Sequence, residues 1–506
     1  MSTSVVAPTT HQLRHRTRWA LTLAVLGFFA AISRLGNLSV PTDAGTPVFD
    51  EKHYVPQAWQ ILQGGIEDNP GFGLVVHPPL AKQLAAIGMG VFGYTPVGWR
   101  IMTALAAVVV VCLIPMITRR VGGSDFVGLI AGILALCDGI LFVTGRSAML
   151  DHFQTMFLLL AVYFLVRDFE QMEARFRTVL AEGRIGDHPF GPCMGFRWWR
   201  VAAGCALGGT LAVKWSGLYY MAFFGVAIVV VDAYRRYRFG VARPLRGAVF
   251  WDASPHFLNL VILPLALYVL SWRTWFTSES SVYRHAVESG LLEEATSLKN
   301  SALGFLPDTW LNFIYYHWSV LKFHGELTNS NGHYHAWESK PWSWLASTRG
   351  LMYYNPEHDD GIKTMQILVG TPAIWFPVVA VLLWGVYQLV WRRDVRWCVP
   401  IVGFAAGFLP WLMNIDRQMY LFYALNLAPF VIIGLALICG ALLSWSLPEI
   451  SGYTATNYLS RNAGVILVVG YVTFAVWNFL FFLPIYTAMP LSPMEWSIRM
   501  WLPSWH

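Results

Sequence analysis

The feature that most constrains this chain is its series of long, nearly charge-free apolar runs. Crossing about 30 Å of hydrocarbon takes roughly 20 apolar residues of helix, the form that satisfies every backbone group within the segment. Eleven stretches approach that length, at about 17–34, 97–118, 125–144, 150–166, 197–213, 216–233, 255–272, 369–391, 396–413, 419–444 and 463–486. Only 13% of the 506 residues are charged and 56% are hydrophobic, against about 25% charged in soluble domains. The expected fold is an all-α integral membrane protein with about eleven transmembrane helices. The first run follows Arg14, Arg16 and Arg18 and lacks a small-residue cleavage site, so it reads as a retained span.

Charge sets the topology. Arginines gather in short clusters: Arg14, Arg16 and Arg18; Arg119 and Arg120; six in 167–200; five in 233–246; Arg392, Arg393 and Arg396; and Arg461. The positive-inside rule places these clusters in the cytoplasm. None contains a Lys, and all seven Lys fall in the remaining segments. One helix over Val201–Val231 would be about 46 Å long, too long for one crossing. The arginine clusters on either side require an even number of crossings between them, so Lys214 marks a turn on the outer side. The N-terminus is then cytoplasmic and the C-terminus extracytoplasmic. Asp50-Glu51, Arg146, Lys214, the long 273–368 loop and Arg417 meet on the outer face. The net charge of +6 reflects these orientation signals and implies no nucleic-acid partner. The six cysteines fall in spans or in a cytoplasmic loop, so no structural disulfide is expected.

Three parts follow: a seven-span N-terminal membrane region, 1–272, whose first outer loop is 35–96; an outer loop, 273–368; and a four-span region, 369–506. Two short interfacial helices are expected in the first loop, over 55–64 with Pro56 in its first turn and Gly64 as its stop, and over 80–92. The 167–187 segment, with acids and Arg at helical spacing, reads as a solvated cytoplasmic helix.

The first loop carries the richest chemistry, in Phe49-Asp50-Glu51-Lys52-His53-Tyr54 and His77-Pro78-Pro79-Leu80-Ala81-Lys82. Adjacent residues share no helix face. One carboxylate can face a reaction centre as general base toward a hydroxyl, while its neighbour holds backbone or a second ligand. A following helix that starts near Tyr54 makes Asp50 a poor helix cap. Lys82, Arg146 and Lys214 stand at the outer ends of apolar segments. Each alone is a snorkelling cation, and together they suit a phosphate. His77 and Asp151 are placed to orient them. Asp138 lies inside the third span, where an acid is costly and is either paired or functional. His333-Tyr334-His335 lacks neighbours at ligand spacing, so no metal site is expected.

In order along the chain, Phe49-Asp50-Glu51-x-His53-Tyr54, His77-Pro78-Pro79-Leu80-Ala81-Lys82, Asp138, Arg146-Ser147-Ala148-Met149-Leu150-Asp151, Val213-Lys214-Trp215-Ser216-Gly217 and Glu338-Ser339-Lys340-Pro341-Trp342-Ser343-Trp344 resemble the protein O-mannosyltransferases, polytopic glycosyltransferases of the GT-C class. The resemblance spans about 45–430. It implies inverting transfer of mannose from polyprenyl-phosphate mannose to Ser or Thr hydroxyls of exported, unfolded polypeptides, at the secretion channel, outside the plasma membrane. It implies Asp50 as the base, Glu51 in acceptor support, and Lys82, Arg146 and Lys214 on the lipid phosphate. His53, His77, Asp138, Asp151 and Arg417 would support the site, and Glu338, Lys340 and Trp342 would serve the acceptor or the outer loop. The donor is a substrate and no tightly bound cofactor is implied; the sequence leaves a divalent-metal requirement open. The 273–368 loop is too short for the β-trefoil domain of eukaryotic members, as in the bacterial ones. A GT-C enzyme using another lipid-linked sugar or acceptor is the nearest alternative. A transporter of lipid-linked sugars would need midplane charges and repeated halves.

Overall fold

The computed structural model describes residues 10–68, 75–356, 361–445 and 458–505. Eight of the described helices are long and apolar enough to cross a membrane. The principal elements are α1 (Thr10–Leu35), α2 (Glu51–Gly64), α3 (Leu80–Phe92), α4 (Pro96–Gly122), α5 (Asp125–Leu136), α6 (Gly139–Thr144), α7 (Asp151–Ala181), α8 (Trp198–Val213) and α9 (Gly217–Arg238). They continue as α10 (Pro244–Ser271), α11 (Asp308–Glu326), α12 (Pro372–Val390), α13 (Val395–Met413), α14 (Ala428–Trp445) and α15 (Tyr458–Tyr486). A two-stranded antiparallel sheet, β1 (Leu351–Tyr354) with β2 (Gln366–Leu368), is a small departure from an all-α fold. Multi-pass helical architecture is thus as expected.

Two expected spans are built differently from a single long helix. The 125–144 run breaks at Cys137-Asp138 into α5 and α6, because side chains replace the missing helical bonds. Arg34 donates to the Ala135 and Leu136 carbonyls at 3.1 and 3.2 Å, closing α5. Asp138 caps α6 by accepting from Leu141 N at 2.8 Å, and its other oxygen takes the Trp375 indole N–H at 2.6 Å. Thr371 spans the break, donating to Cys137 O (2.7 Å) and accepting from Gly139 N (3.0 Å). The 419–444 run begins as a 3-10 turn over Leu421–Asn426 before α14, and α8 has 16 residues. Small residues seat α8 closely on α10: a Cβ on Gly204 would lie 1.8 Å from Asn259 O, and one on Gly208 would lie 2.9 Å from Leu267 Cβ. This close backbone approach is the role small residues at four-residue spacing play in membranes.

The first loop corrects the expected helix start. α2 begins at Glu51, and Pro56 lies inside it. Pro56 has no N–H to give the Lys52 carbonyl, but the preceding turn is fixed independently by Glu51, as described below. The left-handed stop is Gly65 (φ 76°), one residue beyond Gly64. The 273–368 loop holds α11 and, among the described residues, several shorter helical turns.

Candidate active site

Phe49 has a left-handed backbone (φ 51°), and its ring stacks on Tyr353 of β1 at 4.4 Å. This turn sends the two adjacent carboxylates in different directions. Glu51 is 1% exposed and fully engaged. It accepts from Arg100 Nε and Nη2, each at 2.7 Å, from Ala148 N at 2.7 Å and from Val48 N at 3.2 Å. Arg100 also donates to Leu38 O (2.9 Å) and Pro41 O (2.7 Å). Glu51 therefore ties the first loop, α4 and the 147–150 turn together, and it does not line the cavity.

Asp50 makes no capping bond to α2 and lines a cavity of about 600 Å³. Lys214, Asp151, His53, His77, His324 and Arg417 line the same cavity. Lys214 Nζ pairs with Asp151 Oδ1 at 2.8 Å and sits 5.1 and 5.3 Å from the ring centroids of Phe422 and Tyr423. Asp151 Oδ2 is buried with no hydrogen-bond partner among the described residues. Beneath them, Gln154 donates to Lys214 O (3.0 Å) and accepts from Ser216 Oγ (3.1 Å) and Asn426 Nδ2 (2.8 Å). This network fixes the Lys214-Trp215-Ser216 turn between α8 and α9. Burial pushes the Asp50 carboxyl up to about 6; the Lys214 ammonium opposes this and the Asp151 carboxylate adds to it. Such a value suits a base that must be ionised near neutrality and still attract a proton.

Arg417 approaches from the far end of α13. Its Nη2 meets His324 Nδ1 at 3.2 Å, and its guanidinium lies 5.3 Å over Trp411. His324 Nε2 contacts Val76 O at 3.4 Å, which places the proton on Nε2 and leaves Nδ1 to accept from Arg417. Burial and the neighbouring Arg417 lower His324 to about 4, so the ring is neutral. Burial and the surrounding cations, Lys214 first, hold His77 well below its usual range. Burial alone lowers His53.

Several expected site residues stand elsewhere. Arg146 does not line the cavity; its guanidinium donates to the carbonyls of Ser33 (2.9 Å), Gly36 (2.6 Å) and Asn37 (3.0 Å), closing the end of α1. Lys82 is fully buried in an ion pair with Glu67 and donates to His77 O at 3.0 Å. Asp138 belongs to the α5–α6 break. The Glu338-Ser339-Lys340 segment lies behind Arg417: Lys340 Nζ donates to Arg417 O at 2.9 Å, Ser339 N to Met419 O at 2.8 Å, and Asn329 Nδ2 to Glu338 Oε1 at 2.9 Å. Trp342 is exposed. Arg100, Gln154 and His324 were not anticipated. Arg100 alone carried a signal, a charge within a long apolar helix.

Among the described residues, one group has acid and imidazole atoms close enough to hold a metal: Asp232, Asp252 and His256. Its carboxylates are already committed to guanidinium groups. Arg197 reaches Asp232 and Asp252 at 3.0 and 3.3 Å, and Arg236 reaches Asp252 at 2.8 Å.

The described helices form a multi-pass bundle with an acid- and cation-lined cavity that Asp50, Lys214 and Arg417 share. The Saccharomyces cerevisiae protein O-mannosyltransferase complex bound to its sugar donor superposes with a TM-score of 0.71 at 17% identity, over 100% of this chain and 93% of that one. A family model described as dolichyl-phosphate-mannose-protein mannosyltransferase matches residues 95–277, and one described as the C-terminal four-TMM region of protein O-mannosyltransferase matches 309–505. The Corynebacterium glutamicum polyprenol-phosphate-mannose–protein mannosyltransferase is 48% identical over 496 residues, 96% of this chain and 93% of that protein. The Mycobacterium tuberculosis protein of the same name is 42% identical over 497 residues, 97% and 92% of the two chains. The chain belongs to the protein O-mannosyltransferase family of glycosyltransferases.

Proposed function

We propose that this enzyme transfers mannose from a polyprenyl-phosphate mannose to Ser or Thr hydroxyls of exported proteins, on the extracytoplasmic face. Asp50 takes the proton of the acceptor hydroxyl as its oxygen attacks the anomeric carbon. The bond from that carbon to the phosphate oxygen breaks, and the configuration inverts in one displacement. The leaving group is already a phosphate, so it needs its charge neutralised and no proton. Lys214 and Arg417 supply that charge, and Asp151 and His324 position them. Arg146 and Lys82 hold the walls. The observation that carries this reading is that Asp50, the Lys214–Asp151 pair and Arg417 line one cavity. Names of close relatives support the donor, and the arginine clusters support the orientation.

The test is an assay of membranes with lipid-linked labelled mannose and a Thr-containing peptide. Wild type should label the peptide and Asp50→Asn should not, with equal amounts of folded protein. Full activity in Asp50→Asn removes the base. Labelling from another lipid-linked sugar, or label on lipid instead of peptide, favours the GT-C alternative.

A further inference from the structure

Of the side-chain amides that line the catalytic cavity, three are buried: Gln57, Gln154 and Asn426. Two of them are committed to the protein. Gln154 accepts from Asn426 Nδ2 at 2.8 Å and donates to Lys214 O at 3.0 Å, and Asn426 Oδ1 accepts from Thr155 Oγ1 at 2.7 Å. Gln57 is 5% exposed, yet its amide makes no hydrogen bond with any described residue. Buried amides find partners, and where the protein supplies none, water or a ligand does.

α2 holds this amide toward the cavity. Val55 and Ala58, on another face of the helix, pack with Met89, Trp99 and Ala148, which fixes its rotation. Asp50 just before α2, then His53, Tyr54 and Gln57 within it, recur at helical spacing and all line the cavity. Gln57 stands seven residues after Asp50, about 10 Å along the helix. No Lys or Arg of α2 lines the cavity, so this wall offers a phosphate no cation. Tyr220 of α9 and Gly407 of α13 line the cavity between spans, whereas α2, Leu327 and His333 line it between loops. A polyprenyl chain approaches through hydrocarbon, along the spans; a polypeptide approaches from water, between the loops.

We propose that Gln57 binds the backbone of the acceptor polypeptide. Its amide N–H donates to the C=O, and its amide oxygen accepts from the N–H, of one extended residue, whose two groups point to the same side. The inference rests on the reading of protein mannosyl transfer with Asp50 as base. An extended chain advances about 3.3–3.6 Å per residue, which puts the bound residue about three positions from the modified Ser or Thr. Backbone contact asks for no particular side chain there, so one site serves acceptors of different sequence.

The test measures acceptor and donor KM for the full chain in membranes, with polyprenyl-phosphate mannose and a Thr-containing peptide. The same peptide is also N-methylated in turn at each of the three residues on either side of the Thr. In Gln57→Leu the acceptor KM should rise about tenfold for two lost hydrogen bonds, with an unchanged donor KM and no drop in melting temperature. In wild type one of the methylations should raise the acceptor KM about fivefold, and in Gln57→Leu that methylation should add little. A raised donor KM with an unchanged acceptor KM overturns the proposal and gives the amide to the sugar. Methylations that act alike on the two enzymes overturn it as well, whatever the stability of the variant. No label on any peptide with wild type refutes the transfer reading itself and this inference with it.

Discussion

Glu51 separates two accounts of the acid pair, and Glu51→Gln tests them. The resemblance implies that Glu51 supports the acceptor, whereas the geometry makes it the anchor of Arg100. The substitution keeps the size and removes the charge. It leaves a guanidinium that is 1% exposed without its counter-ion, and it turns an amide N–H₂ toward donors on Arg100, Ala148 or Val48. Removing one member of a buried pair costs about 3–5 kcal/mol, a large share of a stability of about 5–15 kcal/mol. Thermal melting of the detergent-solubilised protein should therefore fall sharply, and kcat should fall as the 147–150 turn and α2 lose their tie. The acceptor KM of surviving enzyme should be unchanged. Adding Arg100→Gln removes the orphaned charge, so the double variant should recover part of the loss, with a coupling of about 0.5–3 kcal/mol. An unchanged melting temperature with a raised acceptor KM would refute this reasoning and return Glu51 to the acceptor.

Asp50→Asn should abolish transfer and raise the melting temperature at pH 7.5. The folded carboxyl, held up to about 6 by burial, lies above its ordinary value of 3.8. Its ionised form therefore opposes folding above about pH 6, and the gain from Asn should vanish toward pH 4, as paired melts would reveal. In the wild type, kcat/KM should rise tenfold per pH unit up to about 6 and then level, because only the ionised base acts. Arg417→Ala should lower kcat/KM for the donor about 10- to 150-fold, from a charged hydrogen bond of about 1.5–3 kcal/mol, with little change in melting. Arg146→Ala should do the opposite, leaving three carbonyls without a donor and lowering the melting temperature; steady-state kinetics beside thermal melts distinguish the two. Gly204→Leu should separate α8 from α10 and cost about 1–3 kcal/mol by overpacking, read from thermal melts.

Spans were legible because burial in hydrocarbon is written in one dimension, as run length and the absence of charge. The same one-dimensional signal misleads where side chains replace backbone bonds. The 125–144 run reads as one helix because nothing local announces that Arg34 and Thr371, distant in sequence, will satisfy carbonyls at the α5–α6 break. Asp138 was visible as a costly acid, but its partner, Trp375, was not. The start of α2 was placed too late for a related reason. Local propensity weighs Pro56 heavily, while the Glu51 carboxylate, held by Arg100 and Ala148 N, fixes the first turn from outside the helix.

The acid and the Lys of the pocket were found because their motifs place them at the ends of apolar runs. A position along the chain gives depth but not direction. Arg146 and Lys82 lie in the expected segments, yet one turns to three carbonyls and the other to Glu67. Arg417 lies far along the chain from Asp50 and enters the cavity because Lys340 and the Thr328–Arg417 bridge hold its backbone there. A cation free to serve a substrate phosphate must have its guanidinium or ammonium open to the cavity, with its backbone held by other groups. Arg417 meets both conditions, and Lys214 meets them through Gln154. Arg146 fails the first, so the loss of donor use should follow Arg417 and Lys214 and spare Arg146.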